Sequence, residues 1–445
     1  MGEPGRARER PINMRIAVPL ALVSVMLAAC GSASSESDTA PTGSTSTPTS
    51  ADPTVSSTAP SQPAAAALPV SDGVQRAAPD SDAATGELAA GWNDAGFELL
   101  RSLPVEDNVV FSPTSIGHAL LMAAAAGDDT TRAAIESAFN LPDGAHEAWN
   151  SIDQSVAGSQ SEQVTVTFAD RIWPGVGIEP DQEWVDLLAA LHGADVVPLD
   201  FANAPDDSRQ VINDWVSDRT ESLIPDLLPE GLIGPATVMV LTDTVYFAAD
   251  WATPFGKYGP VDGTFTTLDG TEVDVSYMQQ LELGDRRGVG DGFVGAEIPY
   301  AGDDYSMLVL VPDAGRYDEL INRLDQELLD EIDNTFTTGP YELLLPKWED
   351  DYQINLLDWL TGIGAAPGSY PKISPDAFLG AAVHAADITV DEQGTVAAAA
   401  TALAFAESGP PEPELTVAAD RPFVYLIRHR STGLVLFAGH VTDPT

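Results

Sequence analysis

The chain has 445 residues, 68 of them acidic and 20 basic, for a formal net charge of −48. That balance repels phosphate backbones, anionic membrane surfaces and heparin-like polyanions, so it argues against nucleic acid and would steer only a basic partner inward. An apolar fraction of 44% can build a substantial core, and a single cysteine excludes an intramolecular disulfide. The six histidines form no Cys/His/Asp cluster with metal-ligand spacing, so neither a metal nor another cofactor is expected.

Arg6, Arg8, Arg10 and Arg15 precede an uncharged run from Ile16 to Ala29. This run is too short to span a bilayer and has a basic flank, so residues 1–29 read as a signal peptide. It ends Leu27-Ala28-Ala29-Cys30-Gly31, which resembles a bacterial lipobox. The resemblance implies acylation of the Cys30 sulfur and an exported lipoprotein anchored to the outer face of the cell membrane; plain secretion is the alternative. Met14 is a second candidate start, since Met14-Arg15 would itself supply a short basic region. Residues 30–88 are rich in Ser, Thr, Pro and Ala without apolar periodicity, which predicts a disordered tether. A coil of about 58 residues spans roughly 40 Å r.m.s..

From residue 89 to the end the chain reads as one folded domain of mixed helix and strand. Asn93 to Leu103, Ser115 to Ala126 (opened by Ser112-Pro113), Thr130 to Phe139 and Gln210 to Ser222 carry helical spacing. Val164 to Trp173 alternates as a strand, and Thr237 to Phe247 reads as a buried one. Phe265 to Met278 is a hairpin turning at Asp269-Gly270, with further strands in Glu297 to Pro312 and Tyr341 to Pro346. Strands in runs, with helices bunched toward the N-terminal half, favour an α+β fold over βαβ alternation.

Near the C-terminus, Glu392 to Pro411 is a tract of small residues opened by Gly394 and closed by Gly-Pro-Pro. It alternates as a strand does, with Thr395, Ala397, Ala399, Thr401, Leu403 and Phe405 on one face and Val396, Ala398, Ala400, Ala402, Ala404 and Ala406 on the other. Nothing in it is large enough to anchor it in a core. Nothing between Gly394 and Thr401 resists burial either.

Several blocks then share one resemblance. Asn108-Val-Val-Phe-Ser-Pro-Thr-Ser-Ile116 is similar to the shutter segment of the serpins. Ile212-Asn213-Asp-Trp215-Val216, Leu241 to Trp251 with Pro254-Phe255, Ile298-Pro299-Tyr300, Leu345-Pro346-Lys347, Arg421-Pro422-Phe423 and Phe437-Ala438-Gly439 follow in that family's order, so about residues 90 to 445 resemble a serpin. The resemblance implies a large, mostly antiparallel central sheet, additional sheets, a helical cluster and an exposed reactive-centre loop over 392–414. It also implies an inhibitor, not an enzyme: a serine protease cleaves the loop, is held as an acyl complex, and is trapped as the loop inserts into the central sheet. From Gly394 to Ser408 the loop could reach roughly 50 Å at about 3.3 Å per residue.

The family's spacing from the hinge glycine places the reactive bond at Ser408-Gly409, with Glu407 as the alternative on a one-residue slip. A small Ser there suits elastase- or subtilisin-like proteases, and a monomer is expected. The hinge maps to Glu392, Gly394, Thr395, Val396, Ala397, Ala398, Ala399, Ala400 and Thr401. The breach, where insertion starts, maps to Trp251, Lys347 and Glu392, with a Lys347–Glu392 pair expected. The shutter maps to Ser112, Ser115, Asp243 and His384. Asp243 stands where the family usually has Asn, which suggests an acid holding His384 protonated and a pH-sensitive sheet. Ser112, Ser115 and His384 are not read as a catalytic triad, since the family buries them. A non-inhibitory member acting as a binding or carrier module is the alternative.

Overall fold

The computed structural model describes residues 73–257, 259–283, 285–395 and 413–445. The signal peptide, Cys30 and the loop from Val396 through the Ser408-Gly409 bond lie outside the described residues.

In chain order, helix α1 (Thr85–Ser102) leads to strand β1 (Val109–Phe111), then helices α2 (Pro113–Ala126), α3 (Asp129–Ala138) and α4 (Ala145–Gly158). Ser112 and Asp128 cap α2 and α3, each accepting from a backbone N–H three residues on. Strand β2 (Val164–Pro174), helix α5 (Gln182–Leu191), strand β3 (Asp195–Val196), helix α6 (Pro205–Arg219) and strand β4 (Met239–Asp250) follow. Strands β5 (Val261–Thr266) and β6 (Glu272–Leu283) form the expected hairpin. Its turn holds Gly270 at φ +84° while Asp269 accepts from the Thr271 N–H. Next come β7 (Arg286–Gly290), β8 (Phe293–Pro299), β9 (Tyr305–Pro312), α7 (Tyr317–Arg323), α8 (Gln326–Thr335), β10 (Thr337–Thr338), β11 (Tyr341–Pro346) and β12 (Trp348–Asn355). The chain closes with α9 (Leu357–Gly362), β13 (Val383–Val390), β14 (Gly394–Thr395), β15 (Leu415–Ala418), β16 (Phe423–His429) and β17 (Leu434–Val441).

These strands make three sheets, in the orders β1-β17-β16-β9-β8-β7-β10, β15-β11-β6-β5 and β12-β13-β14-β4-β2-β3. Pairing is antiparallel except at β2–β3 and β11–β15. The fold is therefore α+β, as expected. Strands β9, β16 and β17 are buried along their whole lengths and form the centre of the main core. In the third sheet β2 and β4 pair continuously from Val164↔Ala249 to Pro174↔Met239. Helices α2 and α4 pack against one face of this pair, while Trp215 of α6 meets Trp173 of β2 on the other.

Two expectations need correction. Residues 73–88 belong to the folded body, not to the tether. Arg76 donates to Asn150 Oδ1 at 2.7 Å and pairs with Asp153 at 2.6 Å, while Asn150 and Gln154 of α4 donate to the Ala77 carbonyl. Ala77 also donates its N–H to Ala190. This segment is held by backbone amides and one arginine, which leave no apolar period in the sequence. Strand β4 is not uniformly buried either. Its burial alternates, because its two faces are covered to different degrees.

Candidate functional site

Strands β4 and β13 are near neighbours in the sheet, yet among the described residues they do not pair directly. The two residues of β14 lie between them. Gly394 sits opposite Asp250, and Thr395 opposite both Ala249 and Val390. The close approach demands glycine: a Cβ on Gly394 would fall 2.0 Å from the Ala249 carbonyl oxygen. Thr395 is 2% exposed and its hydroxyl lies 2.6 Å from that of the buried Tyr300. Around it, Trp251 stacks on Tyr300 at 4.5 Å and donates its indole N–H to the Asp391 carbonyl at 2.9 Å. Backbone N–H groups of Trp251 and Phe255 donate to the carbonyls of Gln393 and Glu392. Lys347 and Glu392 pair at 3.2 Å on the rim, with side chains 51% and 35% exposed. The start of the expected hinge is thus already held as a strand, and the three breach residues converge on it.

Below Thr395 the two strands part around a cavity of about 570 Å³, lined among others by Ser115, Ala119, Met239, Asp243, Gly380 and His384. The four residues expected at the shutter form one network here, Asp243 through its backbone carbonyl. Ser112 donates its backbone N–H to His384 Nε2 at 2.9 Å and its hydroxyl accepts from the Ser115 N–H at 3.0 Å. The Ser115 hydroxyl donates to the Asp243 carbonyl at 3.4 Å. His384 is therefore an acceptor at Nε2, and burial pulls its pKa down to about 4, so it is neutral. A neutral imidazole accepting a backbone N–H cannot activate a hydroxyl. The geometry has the form of a structural network and not of a nucleophile–base pair.

The expected link from Asp243 to His384 is not made. The Asp243 carboxylate contacts His118 Nδ1 instead, as does Asp170 Oδ1 at 3.2 Å. His118 is fully buried on α2, and Asp170 and Asp243 are direct cross-strand partners on β2 and β4. Burial lowers the His118 pKa, but the two carboxylates outweigh it and hold the group up at about 10. Burial raises Asp170 to about 7, with His118 opposing and Asp243 assisting. Sequence spacing hid this cluster because its members lie 52 and 73 residues apart in the chain. Two signals were nonetheless available: His118 follows Ser115 by one helical turn, and Asp170 interrupts the apolar face Val164, Val166, Phe168, Ile172.

Hinge residues Val396 to Thr401, Glu407, Ser408, Gly409 and the lipidation candidate Cys30 lie outside the described residues. Against known proteins, residues 90–444 match the family described as Serpin (serine protease inhibitor). An uncharacterised serpin-like protein of Methanosarcina acetivorans is 30% identical over 372 residues, covering 80% of this chain and 86% of that protein. Leukocyte elastase inhibitor A of Rattus norvegicus is 30% identical over 372 residues, covering 78% of this chain and 96% of that one. The native-state crystal structure of the thermophilic serpin tengpin superposes with a TM-score of 0.75 at 25% identity, covering 85% of this chain and 99% of its own.

Proposed function

Since the chain belongs to the serpin family, we propose that it inhibits an extracellular serine protease by loop insertion while tethered to the cell membrane through Cys30. The observation that carries this reading is the seating of Gly394 and Thr395 between β13 and β4, in line with a cavity that the lower parts of the same two strands border. A loop that begins in strand position needs only to continue downward. Extending the observed register, Ala397 comes to lie opposite Phe247, Thr401 opposite both Asp243 and His384, and Phe405 opposite Met239. Thr401 then faces inward, as Thr395 does, and brings a hydroxyl to the polar network of the gap. The other inward positions down to Thr401 are Ala397 and Ala399, small enough to be buried without displacing the core.

In the proposed reaction the protease serine oxygen attacks the Ser408 carbonyl carbon. The bond to Gly409 breaks, Gly409 leaves as a free amine carrying the transferred proton, and an ester joins Ser408 to the enzyme. Insertion of the freed segment moves the ester away before water can complete hydrolysis, so the inhibitor is consumed. A small residue at Ser408 suits shallow-pocketed elastase- or subtilisin-like enzymes. Mixing the protein with elastase, subtilisin, chymotrypsin and a glutamyl-specific protease tests this. A denaturant-resistant adduct with cleavage after Ser408 is the expected result. Cleavage by every protease with no adduct would overturn it and favour a carrier or binding role.

A further inference from the structure

Three histidines connect the buried carboxylate pair to the surface. His118 Nε2 lies 2.8 Å from His192 Nδ1, and His192 Nε2 lies 2.8 Å from His146 Nδ1. His118 and His192 are buried, while His146 on α4 is half-buried and reaches the solvent side. The raised His118 and lowered His192 and His146 select one of the proton arrangements that satisfy these contacts. Cationic His118 donates from Nδ1 to Asp243 and from Nε2 to His192, and neutral His192 donates from Nε2 to neutral His146. Burial and the neighbouring His118 cation push His192 and His146 down, the latter to about 4, as this arrangement requires. Asp170 Oδ1 and Asp243 Oδ1 are buried with no hydrogen-bond donor. Two carboxylates and one imidazolium therefore leave one negative charge to be neutralised in the core.

The donor atoms of His118, Asp170 and Asp243 all lie within 4.8 Å of one another. His118 Nδ1 and the Asp243 carboxylate are in hydrogen-bond contact, the arrangement a shared proton makes. A proton fits this space. From these contacts we infer that Asp170, Asp243 and His118 form one buried proton site, loaded through His192 and His146, that clamps the β2–β4 pair to helix α2 and sets how readily the gap beside β4 opens. Resting on the loop-insertion reading, this makes insertion pH-dependent. The other ionisable groups facing the cluster are Asp153 of α4, Arg76 of the N-terminal segment paired with it, and Lys372 near His146.

The sign follows from the two raised groups. An acid raised from 3.8 to about 7 stabilises the fold most below 3.8, and that contribution declines up to about pH 7. A histidine raised to about 10 contributes fully below 6.5 and loses its contribution between 6.5 and 10. Both loosen the clamp as pH rises. Neutral His146 and His192 act oppositely below pH 6.5, so the informative quantity is the difference between wild type and Asp170→Asn, whose amide cannot lose a proton.

The experiment compares full-length wild type, Asp170→Asn and the control Asp218→Asn, an exposed position of α6, between pH 6 and 9, reading both thermal unfolding and the rate of adduct formation with subtilisin. Wild type and Asp218→Asn should unfold at lower temperature and insert about tenfold faster at pH 8.5 than at pH 6, one pH unit of coupling being tenfold. Asp170→Asn should lose the part of this change that falls between pH 6 and about 7. Should no protease form an adduct, the inhibitor reading fails while the unfolding profiles still report on the clamp. Parallel profiles for wild type and Asp170→Asn would overturn the proton site. So would a zinc-induced rise in melting temperature seen in wild type and absent from Asp170→Asn. Should Asp170→Asn fail to fold, nitrogen-15 shifts of His118 in the wild type decide: titration near pH 7 supports the site, and an unchanged signal overturns it.

Discussion

His384 and Asp243 line the same gap but answer to different partners, and single substitutions should separate them. His384→Leu removes the acceptor of the Ser112 N–H, and an unsatisfied buried donor costs about 1–3 kcal/mol. Denaturant titration at pH 7.5 should show that loss. Because burial holds His384 at about 4, below its unfolded value, its contribution is present above pH 6.5 and lost as pH falls toward 4. The acid limb of the stability profile should therefore be shallower in the variant. At the top of the gap, Trp251→Ala removes a fully buried indole and should cost about 3–5 kcal/mol. Lys347→Ala breaks only a half-exposed rim pair and should cost under about 1 kcal/mol. Equal effects of these last two on unfolding would contradict the packing described.

At the scale of elements, the two-residue strand β14 is the part of the loop whose position is known, and it invites two substitutions. Gly394→Val places side-chain atoms against the Ala249 carbonyl, and Thr395→Arg places a charge in a site 2% exposed. Each should expel the hinge from the sheet, so that proteases cleave the loop and depart. The ratio of cleaved protein to adduct, read on a denaturing gel, should rise at least about tenfold, about 1.4 kcal/mol being enough for that partition. Strand β2 was legible from alternation, β4 as a buried run, and the capped helix α2 from Ser112-Pro113. Strands β12 and β13 were not. Along β12 the sequence Trp348-Glu-Asp-Asp-Tyr is too acidic to read as a strand, yet Asp351 sits directly opposite Asp387 across the sheet. Helices α4 and α5 were missed as well: α4 opens on Gly144 without a side-chain cap, and its Asn150, Asp153 and Gln154 are spent on the 73–80 segment.

Across the whole molecule, the net charge of −48 should govern encounter more than complex stability. For a basic protease the association rate should fall about tenfold or more between low and high salt, whereas for a neutral one it should hardly change. Stopped-flow measurements over that range would check this, and equal salt slopes would count against steering. Cleavage in the loop should also raise the melting temperature, since a new central strand would join β4 to β13 where, among the described residues, only the two of β14 do so.

The sequence by itself determined the family, the α+β class, the glycine at which the loop turns into strand, and the Lys347–Glu392 pair, because each is written in local pattern or in blocks whose order is kept. Only the tertiary structure decided that residues 73–88 belong to the body and that Asp243 faces His118 instead of His384. It alone brought three histidines into line beneath the sheet. Those outcomes depend on which face of a strand meets which helix, and on buried charges finding partners 52 to 125 residues away in the chain. Desolvation enforces that pairing only once the core has closed.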